Sequence, residues 1–441
     1  MEPVSAPKPT SSLRYAFGMF GTSIPINMFK AFAAKFYVDS LGLTTTNYAL
    51  VLLVYAFLDA IDNPVYGFLS DRTRSPWGRR RPWLLIGAPL LAVAFILFYN
   101  PPALGGQTQL LVYMLLMYCL TGTLDSLINA NYGALFPELF QGDALRARTN
   151  ALRQGFQLVA MVISIALTPL IASQLGYSTT ALAYGLLGAG VIVYMALGCR
   201  EMPQAQHMEK PKLWNSLKVM LTNPKFWVFG LTNAFYSAAM ALVMQAVPFF
   251  VKYRLGLSDG NTTILLGTVL LVAIAAVALW AALVRHYTLM PVWRTALLVL
   301  AVGFVPLFFA NTLVFTVAAS CVVGLGMAGV MSTMDLIGAR IMDEDTRRHN
   351  LRREGIYSSA MGFMNRLSGL FVSLAFFLVN GLYGFVSGQQ PGPNPGAAAR
   401  FLLVLFPLGA MVLSIVFSML MRFPGEKKSD LPADKSASAQ P

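Results

Sequence analysis

Twelve stretches of about 20 mostly apolar residues recur along this 441-residue chain, each long enough to cross a bilayer as a helix. They fall at roughly 15–38, 48–70, 83–100, 109–136, 150–173, 178–198, 226–251, 262–284, 292–310, 313–337, 357–385 and 399–421. In water, so much apolar side chain would leave more exposed apolar surface than a soluble protein tolerates. In lipid the solvent is itself apolar, and helices satisfy every backbone polar group internally. Composition agrees, with 56% hydrophobic and 12% charged residues against about 25% charged in soluble domains. The expected fold is an all-α membrane protein of about twelve transmembrane helices.

Charge placement sets the expected orientation. The loop SDRTRSPWGRRRPW (70–83) is followed, every second loop, by Arg146, Arg148 and Arg153; by Arg200, Lys210, Lys212, Lys218 and Lys225; by Arg285 and Arg294; by Arg340, Arg347, Arg348, Arg352 and Arg353; and by Arg422, Lys427 and Lys428. The opposite loops NPPALGGQTQ, QLGYSTT and GQQPGPNPGAAA hold no Lys or Arg, with Lys252 and Arg254 the exception. Positive loops stay cytoplasmic, so both termini are expected there, and an even number of spans follows. The net charge of +13 is then a topology signal and a contact with anionic lipid, not a nucleic-acid footprint.

The longest interior hydrophilic stretch divides the chain into a six-span half at 1–199, a cytoplasmic linker at 200–224 and a second six-span half at 225–422. Residues 423–441 read as a disordered cytoplasmic tail. Two similar halves imply parallel repeats with a substrate site between them near the midplane. The polar start and the length of the first apolar stretch predict no cleaved signal peptide. The compact loops suggest a bacterial inner membrane. Cys119, Cys199 and Cys321, with His207, His286 and His349, form no disulfide framework and no zinc spacing. No phosphate-binding loop, dinucleotide fingerprint or nucleophile elbow occurs. The chain is expected not to be an enzyme, to use no organic cofactor, and to take its energy from an ion or substrate gradient.

The second span carries the densest polar constellation, Asp59, Asp62 and Asn63, in FLDAIDNPVYGFLSDR. Asp59 lies twelve residues above Asp71, hence ~18 Å deeper. A charge at mid-membrane costs about 2.5–3.5 kcal/mol and needs a partner, water or a cation. The i, i+3, i+4 spacing puts all three groups on one face. That set suits sodium, a proton, or a structural hydrogen-bond network between helices. The fourth span adds Asp125, Ser126, Asn129 and Tyr132, with Arg153 at the start of the fifth. In the first span Ser23, Asn27 and Lys30 share a face; Lys30 could neutralise Asp59 or meet an anionic solute, while Lys35 could snorkel to the outer surface. Asn233, Tyr236 and Gln245 in the seventh span, Asp335 in the tenth, and Asn365 and Arg366 in the eleventh are the second half's candidates.

Three segments carry a resemblance: DAIDNPVYGFLSDRTRSPWGRRRPWLLIG (59–87), NANYGALFPEL (129–139) and LRREGIYSSAMGFMNRLSG (351–369). They resemble the glycoside–pentoside–hexuronide:cation symporters, the melibiose-permease group of the major facilitator superfamily. The resemblance implies the major facilitator fold, a monomer, and a cation site in which Asp59 matches the first binding aspartate and Ser126 a hydroxyl ligand. Asn63 stands where the family has a second aspartate, with Asp62 one place earlier. It implies substrate-binding roles for Arg153 and, in place of a functional lysine, Arg366. The family's sugar-gripping acids fall at Ser23 and Asn129 and its stacking tryptophan at Gly133, so a galactoside is disfavoured; the charge lost at Asn63 favours protons, or weak or lost sodium coupling, unless Asp62 takes its place. The Arg-rich loop resembles a gating loop, with Asp71, Arg72, Arg79, Arg80 and Arg81 expected to pair with Glu138 or Glu354. The expected function is symport of a small polar solute, such as a glycoside, with sodium or protons. A lysolipid carrier, an uncoupled facilitator and a non-transporting sensor are the alternatives.

Overall fold

The structure is a computed structural model, and it describes residues 10–421 other than 74, 104, 141–142, 200, 202–221, 350–363 and 366. The described residues outside turns and loops are helical. They form α1 (Ser12–Ala34), α2 (Thr45–Arg72), α3 (Arg81–Phe98), α4 (Gln107–Leu139), α5 (Asp143–Met161), α6 (Thr168–Gly198), α7 (Pro224–Tyr253), α8 (Gly260–His286), α9 (Leu289–Phe309), α10 (Leu313–His349), α11 (Ser368–Tyr383) and α12 (Pro395–Leu420). Among the described residues, eight helical runs are long and apolar enough to cross a membrane. One is the 51-residue run Arg148–Gly198, at ~76 Å far longer than a hydrocarbon core of about 30 Å. Its helix breaks at Gly176, where φ is 80° and ψ 158°. The expected fifth and sixth spans therefore meet without a loop.

Local sequence explains several element ends. Ser11 accepts a bond from the Arg14 amide and Thr44 one from the Asn47 amide, capping α1 and α2, which satisfies donors that a helix start leaves open. Gly384, left-handed at φ 65°, stops α11 as helix-terminating glycines do. Pro25, Pro89, Pro248 and Pro306 sit inside helices, which membrane helices tolerate when neighbours cover the freed carbonyls. α10 continues twelve residues past the expected end of the tenth span at 337, to His349.

The chain divides into two compact units. The first holds Met1–Pro211, Met240–Gly267 and Arg366–Leu403. In it α1 packs on α5 and α6, α3 on α4 and α6, and α2 on α4 and α11. Its core gathers Leu84, Leu91, Leu127, Leu135, Ile192 and Met195, all buried. Tyr15 and Tyr132 stack with centroids 4.7 Å apart, and each hydroxyl donates to the other's carbonyl, at 2.7 and 3.1 Å. Such reciprocal bonds join helices where lipid supplies no hydrophobic drive.

The second unit holds Lys212–Ala239, Thr268–Asn365 and Val404–Pro441. Here α9 packs on α10 and on the latter part of α12. Trp280 Nε1 donates to the Leu325 carbonyl at 2.8 Å, Ser414 Oγ to the Thr232 carbonyl at 2.9 Å, and Arg294 to the carbonyls of Ser418 and Met421 at the end of α12. That last contact is a favourable cation at a helix C-terminus.

Candidate functional site: acids between α2 and α4

α2 and α4 face each other with small and hydroxyl residues, so that acids can meet hydroxyls across the seam. Asp59 Oδ1 accepts from Tyr55 Oη at 3.1 Å and from Ser126 Oγ at 3.2 Å. One turn along α2, Asp62 Oδ2 accepts from Thr123 Oγ1 at 2.9 Å. Asp59 and Ser126, which the resemblance assigns to one cation site, are thus hydrogen-bonded to each other, and Tyr55 and Thr123 lie beside them. Both were legible in principle: Tyr55 stands four residues before Asp59, and Thr123 three before Ser126, on the same helix faces.

Gly122 makes this geometry possible. A Cβ there would lie 2.3–2.4 Å from the Tyr55 ring and hydroxyl, so the phenol rests directly on the backbone of α4. Tyr118 packs edge-on against Tyr55 with centroids 5.1 Å apart, fixing the ring that aims its hydroxyl at Asp59.

A second group lies between α1 and α4. Lys30 Nζ contacts Asp125 Oδ2 at 3.2 Å, the lysine side chain being 58% exposed and the acid 8%. Asn129 Nδ2 donates to both the Asp125 carboxylate and its carbonyl. Lys30 therefore reaches Asp125, a partner not singled out by the sequence. Ser23 is buried on the same helix, and Asn27, one turn before Lys30, has a buried amide nitrogen with no hydrogen-bond partner among the described residues. The Arg153 guanidinium lies 5.3 Å from the Tyr132 ring centroid and 5.1 Å from that of Phe136, within cation–π reach.

In the second unit, Asn233 Nδ2 donates to Asn365 Oδ1, which also accepts from Ser237 Oγ at 3.3 Å; Tyr236 is buried beside them on α7. Gln245 belongs to the first unit, where its Oε1 accepts from Tyr48 Oη at 2.8 Å.

The Arg-rich loop is held by a residue the sequence reading passed over. The amides of Arg79, Arg80 and Arg81 donate to the Glu201 carboxylate at 2.6, 2.9 and 2.9 Å, placing an anion on the first amides of α3. Arg81 Nε donates to the Ala196 carbonyl at 2.8 Å, and Arg80 Nη1 to Ser70 Oγ at 3.2 Å. Gly78, at φ 105°, turns the loop where a Cβ would strike the Glu201 carboxylate at 2.5 Å. The signal was an acid directly after the sixth span, able to reach the arginine-rich start of the third. Asn63, Asp71, Arg72 and Glu138 lie on α2 and α4, but their side chains fall outside the described residues, as do Glu354 and Arg366 entirely.

Residues 14–426 match the family model described as MFS/sugar transport protein. The chain is 34% identical over 175 residues to an uncharacterized symporter of Synechocystis sp., a match that takes in 38% of this chain and 31% of that protein. It is 23% identical over 389 residues to the isoprimeverose transporter of Lactiplantibacillus pentosus, covering 83% of this chain and 80% of the relative. A crystal structure of the nucleoside transporter NupG superposes with a TM-score of 0.71 at 9% identity, covering 93% of this chain and 99% of that one, which extends the likeness of fold. The chain is a multi-pass membrane protein that belongs to the MFS/sugar transport protein family.

Proposed function

We propose that this protein is a cation-coupled symporter of a small polar solute such as a glycoside, working by alternating access in a bacterial inner membrane. The observation that carries the reading is Asp59, a carboxylate deep in a membrane helix whose Oδ1 is met by two hydroxyls, one from its own helix and one from α4. A hydroxyl both donates and accepts. It can bond a carboxylate while the site is empty and turn its oxygen to a sodium ion, or stabilise a protonated acid, when the site fills. Asp62 with Thr123 extends the oxygen set by one turn. Arg153 over its aromatic shelf and Lys30 beside Asp125 supply hydrogen-bond donors and a rigid wall for a hydroxyl-rich solute. In this reading the chain has twelve spans, both ends on the side of the Arg-rich loops, and acts as a monomer. The α3 start fixed by Glu201 anchors its cytoplasmic gate.

The test needs no known solute. Wild type and Asp59→Asn are purified and melted across sodium, lithium and pH series, since a ligand of the folded state raises the melting temperature by mass action. A saturable sodium shift lost in Asp59→Asn supports sodium coupling. A pH-dependent stability lost in the variant supports protons. If neither series separates the two proteins, coupling through Asp59 is wrong.

A further inference from the structure

Lys252, with Arg254, departs from the charge rule, standing on the side whose other loops carry almost no Lys or Arg. The structure gives it a partner. Lys252 Nζ donates to Asp39 Oδ1 at 2.7 Å, and Tyr253 Oη donates to the same oxygen. Asp39 Oδ2 accepts from Lys35 Nζ at 2.6 Å, and Lys35 also reaches Asp259 Oδ1 at 2.9 Å. Lys35 and Asp39 each have side chains only 3% exposed. Lys35, expected to snorkel into water, is instead buried between two carboxylates that satisfy its ammonium.

The cluster has a definite place. α1 starts beside the C-terminal end of α6, where Arg14 donates to the Tyr194 carbonyl at 2.6 Å. Asp39 is 25 residues further along, roughly 35 Å away and so about one bilayer from the Arg-rich end. All its members lie in the first unit, yet they come from remote parts of the chain: the π-helical turn Lys35–Ser40 that follows α1, the end of α7, and the residue before α8. A seam of further bonds runs on from it. The Gly388 amide donates to the Val38 carbonyl at 2.8 Å, the Thr45 amide to the Val386 carbonyl at 2.8 Å, Asn380 to Thr46 at 3.1 Å, and Ser373 to the Ala49 carbonyl at 2.7 Å.

The geometry points to Lys35, Asp39, Lys252, Tyr253 and Asp259 as a latch that holds this side of the transporter shut and parts when the pathway opens toward the face opposite the Arg-rich loops. Two features favour a latch over a static strut. Buried ion pairs add little net stability, because desolvation offsets attraction, whereas each of these groups can be rehydrated at a membrane surface. And the partners sit on separate segments far apart in the chain, so their side chains can part as rigid segments move, the way interface salt bridges repack. This inference rests on the transport reading for its purpose but not for its measurement.

The test replaces the three native cysteines by alanine and introduces Ser373→Cys, which lies buried in the seam. A membrane-impermeant maleimide is applied from either face of oriented vesicles. In the closed state labelling is slow. Asp39→Asn should speed it about tenfold, and Lys252→Ala, which removes the more exposed partner, about threefold, in each case from the face opposite the Arg-rich loops. Size exclusion and melting check that the variants fold. If Asp39→Asn fails to fold, Lys252→Ala decides alone. Folded variants that label no faster overturn the latch. Faster labelling without uptake of any solute counts against the transport reading alone, and solute uptake with unchanged labelling counts against the latch alone.

Discussion

Asp59 and Asp39 are both aspartates inside the first unit with several bonds apiece; hydroxyls from two helices meet the one, and ammonium groups meet the other. Asp59 is met by the hydroxyls of Tyr55 and Ser126, Asp39 by two lysines and a tyrosine. An ammonium can only donate, so it neutralises an acid and competes with any other cation. A hydroxyl can reverse its role and become a ligand. On the proposed reading, the reversible hydroxyls suit Asp59 to receive a cation, and the ammonium groups suit Asp39 to hold two segments together.

The same chemical change should therefore have unlike consequences at the two places. Asp39→Asn leaves Lys35 and Lys252 against a neutral amide, and removing one member of a buried pair costs about 3–5 kcal/mol; a large fall in melting temperature in detergent is the expected result. Asp59→Asn should leave melting temperature unchanged or raised in the absence of cation, since it removes a charge that the helix interior disfavours. Its cost falls on cation affinity, at least about a hundredfold, the upper end of what losing even a supporting partner costs a metal site. Melting curves with and without sodium measure both variants. Equal destabilisation by the two would erase the distinction.

Gly122→Ala sharpens the comparison without touching either acid. The added methyl must push the Tyr55 ring off α4 and take one hydroxyl from Asp59, weakening the cation response about tenfold while the latch labelling rate stays as in wild type. A shift in labelling would show that the two regions are coupled through α2.

The smallest expected effect is a dependence on acid. Asp39 lies just beyond the first expected span. Burial acts to raise its pKa, but Lys35, followed by hydrogen bonds from Lys252, Lys35 and Tyr253, outweighs burial and holds the carboxyl below its usual value of 3.8. Asp259, through Lys35, is the other charged group at the cluster. A carboxyl whose folded pKa is depressed contributes stability that is full above its unfolded value and is lost as pH falls through the folded one. Ser373→Cys labelling should thus be flat from pH 5 upward and rise only in the window below about pH 4. The reagent's own rate is corrected with a freely exposed cysteine. A rise near neutrality would point to another group.

Much of the site was legible because helical spacing is enough to place residues on a face. Asp59, Asp62 and the polar run from Asp125 to Tyr132 could be assigned inward faces on α2 and α4 from cost alone, since lipid rejects them. What spacing could not give was the partner across the seam. That Lys30 reaches Asp125, that Thr123 reaches Asp62, and that Glu201 caps α3 all depend on how neighbouring helices are rotated and offset, which side-chain packing between helices sets. Tyr55 was hidden for a further reason: it looks like any apolar span residue until a glycine on α4 lets it approach.

The sequence by itself determined the solvent, the helical class, the charge asymmetry between faces and the family, because each is a sum over many residues that no single contact can reverse. The tertiary structure alone decided which charges meet. Lys35 and Lys252 read as a snorkelling residue and an exception to a rule. They become one cluster because the ends of α1, α7 and α8, more than 200 residues apart in the chain, are brought to the same place, and an ion pair depends on distance in space rather than along the chain.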